Sequence, residues 1–162
     1  MDIISRLQSL PVGKFHYKLL VLVGLGWLFD AMDTGMVSFV LATLGKEWGL
    51  SPKELGWVVS IGFVGMAIGA VTGGRTADKI GRKTVFAVSL VVYSIATALC
   101  AVAPDLGWLL VFRFFVGVGL GAQLPVAVTL VSEYVPAKVR GRFIVLLESF
   151  WGLGWLAAAL VS

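Results

Sequence analysis

Asp30 and Asp33 stand three residues apart inside one long apolar stretch, and Arg113 interrupts another. Residues three apart share a helix face. A charge near the centre of a bilayer costs roughly 3 kcal/mol on insertion scales, so such side chains usually face a bundle interior or a water-filled cavity. Their chemistry there is the handling of protons and anions. Asp33 lies about seven or eight residues before the end of the first stretch, and Arg113 about seven after the start of the fourth. At about 1.5 Å of rise per residue, the two acquire nearly the same depth. An arginine beside a carboxylate holds it until the arginine moves or a substrate competes, which makes a coupling device. The alternative is a static pair that joins two helices. Depth matching makes Asp33, rather than Asp30, the expected carrier of a coupling proton.

Glu148 sits about one and a half turns inside the last stretch. It is expected either to line a cavity or to make a structural bond to a neighbouring helix or loop. Gln123 is a further cavity candidate, with Tyr93, Thr129 and Ser149, although scattered polar groups also bond across helices in membranes. One histidine, His16, and one cysteine, Cys100, leave no cluster resembling a metal site. No metal and no cofactor is expected. Gly117, Gly119 and Gly121 alternate, and Gly62, Gly65, Gly69 and Gly73 line one side of another stretch. No soluble strand and turn precede either run, so neither is a nucleotide cradle. Close helix approach and easy bending explain them better, helped by Pro125. Trp27, Trp57, Trp108, Trp151 and Trp155 serve as interfacial anchors or packing groups.

The elements that must position these residues are membrane spans. Hydrophobic residues make up 59% of the chain and charged residues 14%, against about a quarter charged in soluble domains. Mean hydropathy is +0.96. About twenty apolar residues cross the hydrocarbon, and five spans are expected at about 17–41, 55–76, 84–102, 106–131 and 143–162, the fourth interrupted by Pro125. Residues 1–16 form a segment before them. Ser51, Pro52 and Glu54 supply an N-cap, a first-turn proline and an early acid for the second span.

Ten basic residues fall on one side: Arg6, Lys14, Lys18, Arg75, Lys79, Arg82, Lys83, Lys138, Arg140 and Arg142. Lys46 and Lys53, in the polar connection 46–53, fall on the other. The positive-inside rule then makes the N-terminus cytoplasmic. The net charge of +4 reads as a topology signal, and no nucleic-acid partner is expected. The fifth span ends without a polar tail, which reads as a truncation in or just after a helix.

The segment Gly74-Arg75-Thr76-Ala77-Asp78-Lys79-Ile80-Gly81-Arg82-Lys83 forms a tight basic turn between two spans and resembles the signature loop of the major facilitator superfamily. Thr76 departs mildly from the usual apolar choice. The resemblance implies that Asp78 caps and ties neighbouring helix ends, and that Arg82 and Lys83 join a charge relay; Gly74 and Gly81 complete this gating loop. Arg113-Phe114-Phe115-Val116-Gly117-Val118-Gly119-Leu120-Gly121 resembles the helix 4 motif, whose arginine is implicated in proton coupling or substrate binding. Residues 133–142 resemble the charged loop after helix 4 in sugar porters and their organic-ion relatives, which implicates Glu133, Arg140 and Arg142 in a cytoplasmic charge network. Phe29-Asp30-Ala31-Met32-Asp33-Thr34-Gly35 resembles helix 1 of bacterial aromatic-acid/proton symporters and nicotinate permeases. Span 5 lacks the glycine-proline motif of drug antiporters, which favours uptake over efflux.

These features imply an all-α polytopic membrane protein with the major facilitator fold, carrying five helices of the N-terminal six-helix bundle and lacking the C-terminal half. The expected function is secondary transport, a proton-coupled uptake of a small organic anion such as an aromatic acid or nicotinate by alternating access. A proton-coupled sugar or polyol transporter is the alternative, followed by a non-transporting membrane sensor on the same fold. No nucleophile, base and orienting group converge, so no enzyme is expected. The partners implied are a small organic solute, protons, the lipid bilayer and the missing half of the same protein. The expected location is a cell membrane, most simply the bacterial cytoplasmic membrane.

Overall fold

The structure, a computed structural model, describes residues 12–161. Arg6, which contributes to the charge bias, and Pro11 and Ser162 lie outside the described residues. Among the described residues, five helices follow in order: α1 (Lys14–Glu47), α2 (Pro52–Ile80), α3 (Arg82–Cys100), α4 (Leu106–Tyr134) and α5 (Arg140–Val161). Each is long and apolar enough to cross a membrane. The shortest, α3, has 19 residues and rises about 28 Å, close to the roughly 30 Å of a bilayer core. Phe63, Ile68, Val91, Ile95 and Leu156 are exposed, a surface suited to lipid and hazardous in water. This is an all-α, polytopic membrane protein.

Several connections are more helical than the polar residues suggest. The basic turn is the clearest correction: α2 continues through Arg75, Asp78 and Lys79 to Ile80, and only Gly81 breaks the chain before α3. Gly81 has φ of 93°, a conformation that glycine adopts without steric penalty. The connection 46–53 is also shorter, because α1 runs to Glu47 and α2 begins at Pro52. Likewise α4 extends through Glu133 and α5 starts at Arg140. Charged residues tolerate a helix well once it has left the hydrocarbon, so polarity marks the membrane edge and not the helix end. Pro125 does not interrupt α4, which is continuous across it. Membrane helices accommodate proline through local adjustment and neighbouring groups.

The Ser51 cap forms as a full capping box. The Ser51 hydroxyl oxygen accepts from the Glu54 N–H at 3.4 Å, and the Glu54 carboxylate accepts from the Ser51 N–H at 2.8 Å. Two otherwise orphaned amides at the start of α2 are thereby satisfied.

The chain divides into two compact units, one of the described residues up to Val40 together with those from Val128, the other Leu41–Ala127. In the first unit, α1 packs along α5. Tyr17 meets Phe143 with ring centroids 5.5 Å apart, and Trp27 meets Trp151 at 6.0 Å. A methyl on Gly24 would lie 2.7 Å from the Phe150 ring, one on Gly154 would lie 2.6 Å from Ala31 Cβ, and one on Gly35 would lie 2.8 Å from Ala158 Cβ. Residue numbers rise together along both helices, so α1 and α5 run parallel. Small residues permit that approach where apolar burial offers no drive between helices in lipid.

In the second unit, α2 packs along α4 through its glycine stripe. A methyl on Gly65 would strike the Phe114 carbonyl, one on Gly69 the Val118 carbonyl, and one on Gly73 would lie 2.6 Å from Ala122 Cα. From the other side, Gly117 abuts the Gly62 carbonyl and Gly121 that of Met66. This pair is also parallel. α3 lies antiparallel to α4: Ala96 and Tyr93 cluster with Val116 and Leu120, and Val85 clusters with Val126 and Ala77.

Candidate functional site

Within the first unit, the face of α1 turned to α5 carries Gly24, Ala31 and Gly35. Asp30 is turned well away from the centre of that strip, on a second buried face with Val23, Gly26 and Trp27. Only 1% of Asp30 is exposed. Among the described residues, neither of its carboxylate oxygens has a hydrogen-bond partner. Asp33, one turn later, is half-buried. The two acids therefore share a side of the helix in sequence but occupy different surroundings. Thr34 donates its hydroxyl to the Asp30 backbone carbonyl at 2.9 Å, a back-bond that serves the main chain and leaves the carboxylate untouched.

In sequence, Trp27 reads as an interfacial anchor or a packing group. Its ring does pack edge-on against Trp151. Its indole N–H, however, is enclosed and has no acceptor among the described residues. The signal for it was available, because Trp27 lies three residues before Asp30. Glu148 is exposed on α5, so the described residues of its unit do not enclose it. Glu133 is exposed near the end of α4, Arg142 is exposed at the start of α5, and Arg140 is half-buried with its Nε enclosed and unpartnered among the described residues.

Within the second unit, Arg113 is half-buried on α4. Gln123 lies between Gly119 and Val126 on the face of α4 that meets α3, where Gly119 abuts Ser89 and Tyr93 and Val126 packs with Val85. Gln123 is fully buried, and neither amide atom has a partner among the described residues. Tyr93 is buried in the contact of α3 with α4.

At the basic turn, the Asp78 carboxylate accepts from Arg82 at 3.3 Å. The pair spans the Gly81 break and links the end of α2 to the start of α3. Gly81, at the N-cap of α3, has no side chain for capping, so the link made by Asp78 is an ion pair between helix ends. Both side chains are solvent-accessible, and such pairs contribute little to stability on their own. Lys83 is exposed and Gly74 is half-buried, with open space where a Cβ would stand.

Residues 23–162 match the Major Facilitator Superfamily. The chain belongs to the Major Facilitator Superfamily. It is 70% identical over its whole length to the niacin transporter NiaP of Acinetobacter baylyi, covering 37% of that protein. It is 56% identical over 90% of its length to a putative niacin/nicotinamide transporter of Bacillus subtilis, covering 36% of it. It is 34% identical over its whole length to the 4-hydroxybenzoate transporter PcaK of Acinetobacter baylyi, covering 35% of it. The chain thus spans little more than a third of the length of these curated relatives. Its superfamily is one of transporters rather than enzymes, and these relatives are named for aromatic or heteroaromatic solutes.

Proposed function

We propose that the full-length protein is a secondary active transporter that takes up a small aromatic or heteroaromatic acid, nicotinate foremost, together with protons by alternating access. The five helices are the first five of an N-terminal six-helix bundle in this reading, and the rest of the protein completes the transport path. The bacterial cytoplasmic membrane is the proposed location, with the N-terminus cytoplasmic, as the ten-to-two distribution of basic residues favours.

The observation that carries the proposal is the enclosed Asp30. A buried carboxylate without a cation or donor is expensive as a charge, and a proton is the simplest means of neutralising it. A transporter uses that expense by making proton binding conditional on conformation. Enclosure favours Asp30 as the proton carrier over Asp33, in contrast to the assignment from depth matching. Arg113, half-buried on α4, offers a substrate carboxylate a two-pronged donor, and Asp33, half-buried on α1, is proposed as a second acid of the first span. Glu148 is proposed as an accessory acid on α5. The Asp78–Arg82 link, with Gly74, Gly81 and Lys83, is proposed to gate the cycle, and Glu133, Arg140 and Arg142 to form the cytoplasmic charge network. Relatives named for niacin and 4-hydroxybenzoate support an aromatic carboxylate as substrate.

The test is uptake by the full-length protein in liposomes with an inward proton gradient. Labelled nicotinate is expected to accumulate beyond equilibrium and to leak out when a protonophore collapses the gradient. Accumulation of a sugar or polyol in place of any aromatic acid would establish the alternative suggested by residues 133–142. Nicotinate entry indifferent to the gradient would remove proton coupling.

A further inference from the structure

Two enclosed polar groups on α1 lack partners one turn apart. Trp27 is 4% exposed and Asp30 is 1% exposed. Among the described residues, the indole Nε1 has no acceptor and both Asp30 carboxylate oxygens have no donor. The spacing of three residues places them as neighbours on the helix surface. Direction strengthens this relation. Side chains on a helix tilt toward its N-terminus, so the Asp30 side chain leans over the turn that carries Trp27. The other candidate on this helix, the Thr34 hydroxyl, is engaged by the Asp30 backbone carbonyl at 2.9 Å. Ser132 and Ser149, elsewhere in the same unit, likewise donate to carbonyls of their own helices. The Trp27 ring is braced by Trp151 at 6.0 Å, which limits how far the indole can swing.

We propose that the Trp27 indole N–H is the hydrogen-bond donor that receives the Asp30 carboxylate when that residue is charged, making Trp27 a positioning residue for proton coupling. The role in transport rests on the proposed reading of Asp30 as the coupling acid. The hydrogen bond itself is independent of what is transported. In the conformation described here the two groups are apart, as suits an acid that carries its proton. Loss of the proton leaves a buried charge that needs a donor, and an indole supplies one without adding a second charge. With the indole braced by Trp151, the movement that closes the bond falls to the Asp30 side chain. The helix then holds its charged acid through the half-cycle in which a phenylalanine at position 27 would leave it bare.

The charged groups on the elements of this unit are Asp33 and the exposed or half-buried Glu133, Arg140, Arg142 and Glu148, beside the basic residues at the start of α1 and Lys138 before α5. Substituting Asp30 alone separates its titration from theirs. The experiment uses full-length protein in lipid nanodiscs with 15N-labelled indoles, the Trp27 resonance being assigned by its loss in Trp27→Phe. In the wild type, the Trp27 indole proton is expected to move downfield as pH rises through the deprotonation of Asp30. In Asp30→Asn the movement is lost. A Trp27 resonance that stays fixed in the wild type overturns the proposal, as does one that titrates equally in Asp30→Asn. In liposomes, Trp27→Phe is expected to lower proton-driven accumulation by about tenfold, the scale of one hydrogen bond to a charged group, while substrate exchange persists. Undiminished accumulation by Trp27→Phe also overturns it. Failure of the wild type to move any aromatic acid would instead remove the transport reading and leave the spectroscopic result standing.

Discussion

Replacing Gly69 by alanine places a methyl group where α4 already runs. The new Cβ would overlap the Val118 carbonyl oxygen and lie 2.9 Å from both the Val118 carbonyl carbon and the Ala122 nitrogen. Ordinary carbon contacts lie near 3.5–4.0 Å, so α2 and α4 must separate by about 1 Å. All three obstructing atoms belong to helix backbone and cannot rotate away. The separation also loosens the neighbouring contacts at Gly65 and Gly121, because the same two helices make them. Overpacking of this kind costs about 1–3 kcal/mol, or roughly 5- to 150-fold in the folding equilibrium. Gly56, on the same helix, is the control: a Cβ there meets nothing within 4 Å, and alanine gains up to about 1 kcal/mol of helix propensity. The measurement is reversible unfolding of the full-length protein in mixed micelles. Gly69→Ala should unfold at clearly lower denaturant than wild type, and Gly56→Ala at equal or higher. Equal stability of the two variants would refute the claim that backbone contact sets the α2–α4 distance.

Three further outcomes concern function. Asp30→Asn should abolish accumulation against a gradient while sparing substrate exchange, and Asp33→Asn should keep proton-driven accumulation. Proton flux per substrate in liposomes decides between them, and the reverse pattern would restore the assignment from depth. Asp78→Asn removes a full charge from the link across Gly81 and should slow turnover at least tenfold with membrane insertion intact; normal uptake by the inserted variant would remove its gating role. Arg113→Lys keeps the charge but loses the planar fork, and nicotinate uptake should fall by an order of magnitude or more. Wild-type uptake and pH dependence in that variant would show that a point charge suffices.

The sequence by itself determined that this chain carries five apolar stretches long enough to cross a membrane and which superfamily it resembles. Hydrocarbon sets a fixed length for an apolar run, so spans can be counted without knowing how they pack. The segment from Gly74 to Lys83 carried the family because its charges are adjacent along the chain. Tertiary structure decided whatever depends on rotation about a helix axis and on the neighbouring helix. Asp30 and Asp33 look alike in sequence, yet one is enclosed and the other half-buried, because about 60° of rotation separates them. Gln123 reads in sequence either as a cavity residue or as a bond across helices, and only the fold shows that it is fully buried. Pro125 looks like an interruption, and α4 passes through it. Residues 75–80 read as a turn, but their helix continues because leaving the hydrocarbon ends the need for apolar side chains without ending the hydrogen-bond ladder. The parallel pairing of α1 with α5 depends on residues more than a hundred positions apart. It was beyond reach of local pattern, since a small residue on one helix acquires meaning only when the opposing helix arrives against it.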